Sequence, residues 1–316
     1  MNSRFFAPHL RRARALALLG CTGLPLGCGD GVEVGEQMGP DANVAGAGGS
    51  LGGTGGVAGT TGGGVGGACV IRECQAHVYQ CGDCLDDDGD ALIDDADPDC
   101  LGACDNTEDS YYGGIPGQSN APCIQDCYFD QDTGAGNDDC RWSHACDPLS
   151  VAPDYPPSGD VKCEHDPQTN LPGVPESCAT LLATQSPECA AACGPLTPNG
   201  CDCFGCCELP AGSGSHVWLG STANGAGSCS AASAADPTLC HPCTQVPGCA
   251  NDCAPCELCV GKPTLPAECA PDAGAGGGAG APGQCPEAYP PCGLVDQAPC
   301  ASNQYCITGC CIPVPG

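Results

Sequence analysis

Residues 81–100 read CGDCLDDDGDALIDDADPDC, a segment of nine aspartates with cysteines at positions 81, 84 and 100. The segment contains no lysine or arginine, and none occurs anywhere between Arg72 and Arg141. The whole chain shares both features, with 34 cysteines in 316 residues and a formal net charge of −30. A cysteine content above about 8–10% in an exported chain is typical of a disulfide scaffold.

The remaining composition argues against a large apolar core. Aromatic residues make up only 4% of the chain, whereas glycine contributes 49 residues and proline 31. So few large side chains cannot offset the conformational entropy of folding without cross-links. We therefore expect a small disulfide-rich fold, mostly irregular with short helices and strands, built as two stapled blocks on flexible Gly-rich tethers. A short helix is predicted within residues 177–191, with Leu181 and Leu182 facing inward, and a strand at residues 217–219.

The first residues have the form of an export signal. Arginines at positions 11, 12 and 14 precede an apolar run at residues 15–27, which is too short to span a bilayer as a helix. The run ends in Leu-Pro-Leu-Gly-Cys28, which resembles a bacterial lipobox, and the resemblance implies acylation of Cys28. Cys21 is the alternative, but using it would leave 33 cysteines. Discarding Cys21 and acylating Cys28 leaves 32 of the 34, an even number, as full pairing requires.

The charge balance limits the possible partners. Without the signal, four basic residues face 38 acidic ones. Such a field excludes binding to nucleic acid, and cations are the natural partners. We expect an exported protein, lipid-anchored in the outer membrane or at the cell surface, that contacts the lipid bilayer through its N-terminal acyl anchor. Its macromolecular partner would be an extracellular protein or glycan.

Two Gly-rich stretches divide the cysteines. The predicted parts are a signal peptide, a lipid anchor with its tether, a Cys-rich domain, a Gly/Ala linker and a six-Cys module, at residues 1–27, 28–68, 69–269, 270–284 and 285–316. The larger domain holds 26 cysteines and the C-terminal module six. Because both counts are even, each block is predicted to close its bridges internally.

The aspartates of the quoted segment follow the spacing of a calcium-binding loop. Calcium takes about six to eight oxygen ligands, supplied in a loop of about twelve residues by positions 1, 3, 5, 7, 9 and 12. A solvated acidic run is the alternative, but 17 of the 38 acids lie between Asp83 and Asp139, where their repulsion favours a bound cation. With position 1 at residue 86, the predicted ligands are Asp86, Asp88, Asp90, the Leu92 carbonyl, Asp94 and Asp97.

This spacing resembles the EF-hand-like loops of dockerins and the aspartate-rich thrombospondin type 3 repeats. It is also similar to the aspartate-rich metal-binding repeats of bacterial surface proteins. Two residues depart from the EF-hand pattern. Position 6 is Ala91 in place of glycine, and position 12 is Asp97 in place of the longer glutamate. Both departures predict weak binding, in the range of about 10⁻⁴–10⁻³ M that extracellular modules show.

A second acidic stretch, DQDTGAGNDDC at residues 130–140, begins with the same alternation. It predicts a second calcium site with ligands Asp130, Asp132 and Asp138, although its later spacing matches no loop family. A plain turn is the alternative.

Closely spaced cysteines raise the alternative of thiolate metal sites. The segment CDCFGCC at residues 201–207 and the run at Cys240, His241 and Cys243 have spacings that zinc ligands also use. Because thiols outside the cytoplasm are oxidised, disulfides are the main prediction and zinc at residues 240–243 the alternative.

No catalytic motif stands in a suitable context. The G-x-S-x-G match at residues 48–52 lies in the Gly-rich tether, without the strand and helix that a nucleophile elbow needs. The layout as a whole resembles Cys-rich surface lipoproteins of Gram-negative bacteria. The resemblance implies a non-catalytic calcium-binding protein acting in adhesion, envelope structure or ligand binding. The alternatives are an envelope protein that sequesters zinc or copper through thiolates and carboxylates, and a secreted hydrolase without a visible motif.

Overall fold

Short helices and paired strands account for little of the chain. The structure is a computed structural model that describes residues 69–111, 124–130, 140–149, 165–168, 177–269, 285, 288–294 and 297–315, all within one compact unit, residues 59–316. The predicted signal peptide, the anchor at Cys28, the tether and the 270–284 linker lie outside the described residues. Within the described part, no helix is long and apolar enough to cross a membrane.

Two α-helices lie where the sequence predicts one. Helix α1 spans Cys178–Ala183 and α2 spans Pro187–Ala192. The chain breaks between them because Pro187 has no amide hydrogen to donate and starts a helix more readily than it continues one. Leu181 is buried and Leu182 packs against the same core from a partly buried position.

Short 3₁₀ helices add single turns elsewhere in the chain. They span Gln80–Gly82, Asp94–Ala96, His144–Cys146, Gly194–Leu196, Pro247–Cys249 and Ala267–Cys269.

Within the described residues, eight strands form four separate antiparallel pairs. They are β1 Ile124–Gln125 with β2 Trp142–Ser143, β3 Cys206–Glu208 with β4 His216–Trp218, β5 Thr222–Ala223 with β6 Ala226–Gly227, and β7 Gln304–Ile307 with β8 Cys310–Pro313. Strand β4 covers most of the predicted strand at residues 217–219. Two of the hairpins turn on residues with positive φ, Asn224-Gly225 and Thr308-Gly309, as tight hairpins with right-handed twist require.

Disulfides hold these small elements together. The larger block contains the bridges Cys69–Cys84, Cys74–Cys104, Cys81–Cys100, Cys140–Cys189, Cys146–Cys178, Cys201–Cys207, Cys206–Cys243, Cys229–Cys240, Cys253–Cys259 and Cys256–Cys269. The tail contains Cys285–Cys310, Cys292–Cys306 and Cys300–Cys311. Among the described cysteines no bridge joins the two blocks. The disulfide-rich, mostly irregular fold class is therefore confirmed.

Buried side chains form two main clusters, with bridged cysteines in both. The first core joins Leu101 and Tyr128 of the larger block to Tyr305 and Ile312 of the tail. The second core surrounds Trp142 and Phe204 and takes in α1 and α2. The tail therefore packs on the larger block although it shares no described disulfide with it.

The first and last described segments lie side by side. The Arg72 guanidinium donates from Nε to the Gln304 carbonyl at 2.9 Å. The Gln75 amide donates to the Pro315 carbonyl at 3.4 Å. The acidic segment that follows Arg72 is therefore fixed against the tail at its start.

Candidate metal centre

Three disulfides frame the acidic segment. The Cys81–Cys100 bridge closes it into a loop, and the Cys69–Cys84 and Cys74–Cys104 bridges tie that loop to the chain on either side. Covalent closure confines the mutually repelling aspartates of this loop to a small volume. We refer to residues 85–99 as the acidic loop.

In the first half of the acidic loop, the carboxylates of three alternate aspartates accept hydrogen bonds from backbone amides of the same segment. Asp86 accepts hydrogen bonds from the amides of Gly89, at 2.7 Å, and Ala91, at 3.2 Å. Asp88 accepts from the Asp90 amide at 3.0 Å, and Asp90 accepts from the Leu92 amide at 2.7 Å. As a result, carboxylate oxygens of Asp86, Asp88 and Asp90 lie within 4.8 Å of one another on the exposed side of the loop.

Ala91 occupies the position where an EF-hand loop has glycine, and it adopts the conformation of that glycine. Its φ is +77°, in the left-handed region that costs an L-residue about 1–2 kcal/mol. The turn therefore forms without the glycine that the EF-hand pattern would place there.

Asp97 is buried, with 3% of its surface exposed, and one of its carboxylate oxygens lies within 4.8 Å of Glu108 and of the Cys100 sulfur. Its Oδ1 accepts from the Asp99 amide at 2.8 Å. Its Oδ2 is buried and has no hydrogen-bond donor among the described residues. Burial, followed by repulsion from Asp90, Asp99 and Asp88, raises the pKa of Asp97 to about 7. A buried carboxylate oxygen without a donor, facing other carboxylates, is suited to a cation.

Asp99 was not among the predicted ligands, yet the charges of Asp88 and Asp90 act on its carboxylate. Burial raises its pKa to about 6 against a hydrogen bond from the Ala231 amide at 2.6 Å, and repulsion from Asp88 and Asp90 adds to the increase. Its place two residues after Asp97, on the same alternating pattern, is the signal that could have identified it.

Tyr111 adds a neutral oxygen near these two carboxylates. Its hydroxyl is buried and has no hydrogen-bond partner in the described part of the chain. Burial, with smaller contributions from the charges of Asp99 and Asp97, raises the pKa of Tyr111 above its usual value. The hydroxyl therefore stays protonated and uncharged under ordinary conditions.

Asp94, predicted at position 9, is not part of the exposed carboxylate group. It is buried, its Oδ1 accepts from the Cys84 amide at 3.2 Å, and its carboxylate lies beside the Cys69–Cys84 bridge. Its own amide donates to Glu108 Oε1 at 2.9 Å. Asp94 thus braces the loop from within, apart from the exposed carboxylate group.

Glu108, which the spacing of the aspartates could not predict, also stabilises the acidic loop. It is buried, and its Oε2 accepts from the Asp87 amide at 2.7 Å while Oε1 accepts from Asp94. Burial, more than repulsion from Asp94 and Asp87, raises its pKa. One side chain from outside the loop therefore holds both halves of it.

The second predicted calcium site is described only in part. Asp130 is partly buried, whereas Asp132 and Asp138 lie outside the described residues. The zinc alternative at residues 240–243 is left without thiols, since Cys240 is bonded to Cys229 and Cys243 to Cys206.

Comparison with known protein families, curated proteins and solved structures finds no match to this chain.

Proposed function

We propose that the protein is a non-catalytic, lipid-anchored surface protein whose acidic loop binds calcium. The observation that carries this proposal is the buried Asp97 Oδ2, which has no donor among the described residues and belongs to a carboxylate on which the charges of Asp90 and Asp88 act. Leaving such a group buried is costly unless a proton or a cation satisfies it. Above about pH 7, where the proton is lost, a cation is the remaining means of compensation.

The ligand set follows from the carboxylate group. We infer that Asp86, Asp88 and Asp90 supply one oxygen each from the exposed group and that Asp97, on which the charges of Asp90 and Asp88 act, supplies another. Asp99 takes the role that the spacing rule had assigned to Asp94. Carboxylates with a few water molecules provide the hard oxygen donors that calcium prefers. Because disulfides hold the loop with or without calcium, a bound calcium ion would neutralise the charge of the carboxylates without having to fold the loop.

The wider proposal joins this site to the architecture. Two stapled blocks, carried from the acylated Cys28 on a Gly-rich tether, would hold the loop outside the membrane. There it would act in adhesion, envelope structure or ligand binding toward an extracellular protein or glycan. Support comes from the disulfide-rich fold, since such scaffolds belong to oxidising compartments, and from the acidic surface, which suits a calcium-rich exterior.

The test compares Asp97→Asn with the unaltered protein, using the full chain exported and purified with its disulfides formed. Asparagine keeps the shape and the hydrogen bond from Asp99 but removes the charge. With a Kd of about 1 mM, about 10 mM calcium should stabilise the unaltered protein by about 1.4 kcal/mol. For a chain of this size that corresponds to a rise in Tm of about 3–6 °C over a chelated sample.

In chelator the variant is expected to have a Tm equal to or above that of the unaltered protein, because it no longer buries an uncompensated charge. It should lose most of the calcium-induced rise. The matched control is Asp252→Asn, which removes the same charge from an exposed site outside the acidic loop and should keep the full rise. Equal calcium responses in Asp97→Asn and Asp252→Asn, or no response in the unaltered protein, would remove the proposal.

A further inference from the structure

Four buried cysteines of the second core carry thiols, and they come from four separate segments. Cys127 follows β1, Cys193 ends α2, Cys203 precedes β3, and Cys249 ends the Pro247–Cys249 turn. All four are at least nine-tenths buried, with Cys249 the most exposed at 7%. The fold has brought together four thiols that are far apart in sequence.

These thiols form a row, which we call the thiol row. Cys193 lies between Cys127 and Cys203 and is hydrogen-bonded to both. Cys203 is in turn hydrogen-bonded to Cys249, and the Cys203 amide points at Cys249 Sγ from 3.3 Å. The two end cysteines each have one hydrogen-bonded thiol neighbour in the row, and the two inner ones have two.

We propose that the thiol row closes as two further disulfides, Cys127–Cys193 and Cys203–Cys249, in the exported protein. This pairing joins neighbours in the row and uses all four thiols. A bond between the inner pair, Cys193 and Cys203, would strand a thiol at each end in a sealed apolar core. It would also leave the second core with thiols in a compartment that oxidises them.

Each closure is a two-electron oxidation. Two S–H bonds break, one S–S bond forms, and the two protons pass, directly or through water, to the two sulfurs of the oxidant. The two electrons reduce the disulfide of a thiol oxidoreductase of the export compartment to a dithiol. Because the finished fold buries all four sulfurs, this exchange takes place before the second core closes.

Within the folded core, a thiolate charge is stabilised most at the inner cysteine Cys203. Hydrogen bonds from Cys193 and then Cys249 lower the pKa of the Cys203 thiol to about 4, against the opposing effect of burial. The Thr197 hydroxyl also points at Cys203 Sγ, from 3.7 Å.

A shared metal ion fits the row less well. A structural zinc ion needs four thiolates arranged around one point, whereas these four sulfurs are linked end to end. The compact group here consists of Cys193 and Cys203 with Cys140 and Cys189, all within 4.8 Å. Two of those sulfurs already form the Cys140–Cys189 bridge and are not thiolates.

The test maps the bonds directly. The full chain is exported, purified, denatured in an alkylating agent without reductant, digested and analysed by mass spectrometry. The expected products are peptides linking Cys127 to Cys193 and Cys203 to Cys249, with none of the four alkylated. A Cys193–Cys203 link, alkylation of all four, or zinc released in proportion to the protein would overturn the proposal.

Two matched variants test the independence of the pairs. Cys249→Ser should expose Cys203 alone to alkylation, and Cys127→Ser should expose Cys193 alone. If either variant shows a new Cys193–Cys203 link, the two pairs are not independent and the assignment fails. Mapping of the unaltered protein decides the proposal even if a variant does not fold.

Discussion

At the scale of single residues, Ala91 shows how the acidic loop departs from the pattern it resembles. Its φ of +77° is the value that glycine adopts without strain, and the following Leu92 amide still reaches Asp90. The loop keeps its geometry at a local cost. Glycine at this position should recover that cost.

We therefore expect Ala91→Gly to stabilise the protein by up to about 1 kcal/mol, because relief of the left-handed strain exceeds the added entropy of the unfolded chain. Chemical denaturation with the disulfides intact measures the change. The control is Ala96→Gly, an exposed alanine of the same loop with no positive φ, where glycine should destabilise by about 0.5–1 kcal/mol. Loss of stability in both variants would contradict the strain at position 91.

The spacing of the aspartates predicts some residues of the candidate site and misses others. The alternation of Asp86, Asp88 and Asp90 predicts a carboxylate group, and the structure brings those three together. The calcium-loop spacing also predicted Asp94 as a ligand. In the structure Asp94 is buried, where its carboxylate accepts from the Cys84 amide and its own amide donates to Glu108. Spacing within a loop carries no information about a residue outside it. The spacing of the acidic loop therefore could not predict that Glu108 holds it.

At the scale of elements, the two helices are short enough for their caps to decide whether they form. Both begin at a serine whose hydroxyl accepts an amide hydrogen bond. Ser186 accepts from Cys189 at 3.0 Å and Ser177 accepts from Thr180 at 3.4 Å. The Ser186 cap is the shorter one, and it holds the helix that carries Cys189 into the second core.

Replacing Ser186 with alanine should cost about 1 kcal/mol, since α2 would lose its N-cap with no replacement. Ser177→Ala, which removes a longer and exposed cap, should cost less. Urea denaturation of the two variants side by side gives the comparison. A larger loss for Ser177→Ala would show that the cap of α2 is not what stabilises it.

The strand pairs and bridges show what a sequence of this kind can and cannot predict. Even cysteine counts predict that each block closes internally, and every described bridge does so. Connectivity is a different matter, because it depends on which chain segments meet in space. The segment CDCFGCC, for example, sends Cys201 and Cys207 to each other but Cys206 to Cys243.

At the scale of the whole molecule, burial and like charge oppose ionisation at many sites. Burial is the largest cause that raises the pKa of Asp97 and of Asp202 to about 7 and of Asp99 to about 6. It lowers the pKa of His144 to about 4. At mildly acidic pH the folded state therefore keeps these carboxyls protonated, whereas the unfolded chain has them ionised. It also keeps His144 neutral, whereas the unfolded chain has this histidine protonated.

These shifts act on stability in opposite directions. A carboxyl with a raised folded pKa contributes stability that is lost as pH rises from about 4 to about 7, whereas His144 contributes stability that is lost as pH falls from about 6.5 to about 4. Because the carboxyls outnumber the histidine, we expect the Tm in chelator to rise as pH is lowered from about 8 to about 5.

Thermal melts across this pH range check the expectation. Calcium should flatten the profile by stabilising the protein at high pH, where the carboxylates are ionised. A Tm in chelator that falls steadily on acidification would show that His144 outweighs the carboxyls.

The three bridges around the acidic loop also define a route for mechanical load. Tension applied at residue 69 takes a branched covalent path. One branch runs along the chain to Cys74 and through the Cys74–Cys104 bond, and the other runs through the Cys69–Cys84 bond, back to Cys81 and through the Cys81–Cys100 bond. Residues 85–99 lie off that covalent path. A pull on the N-terminal side of the folded part is therefore carried past the loop, and the carboxylates keep their arrangement while the chain is under force.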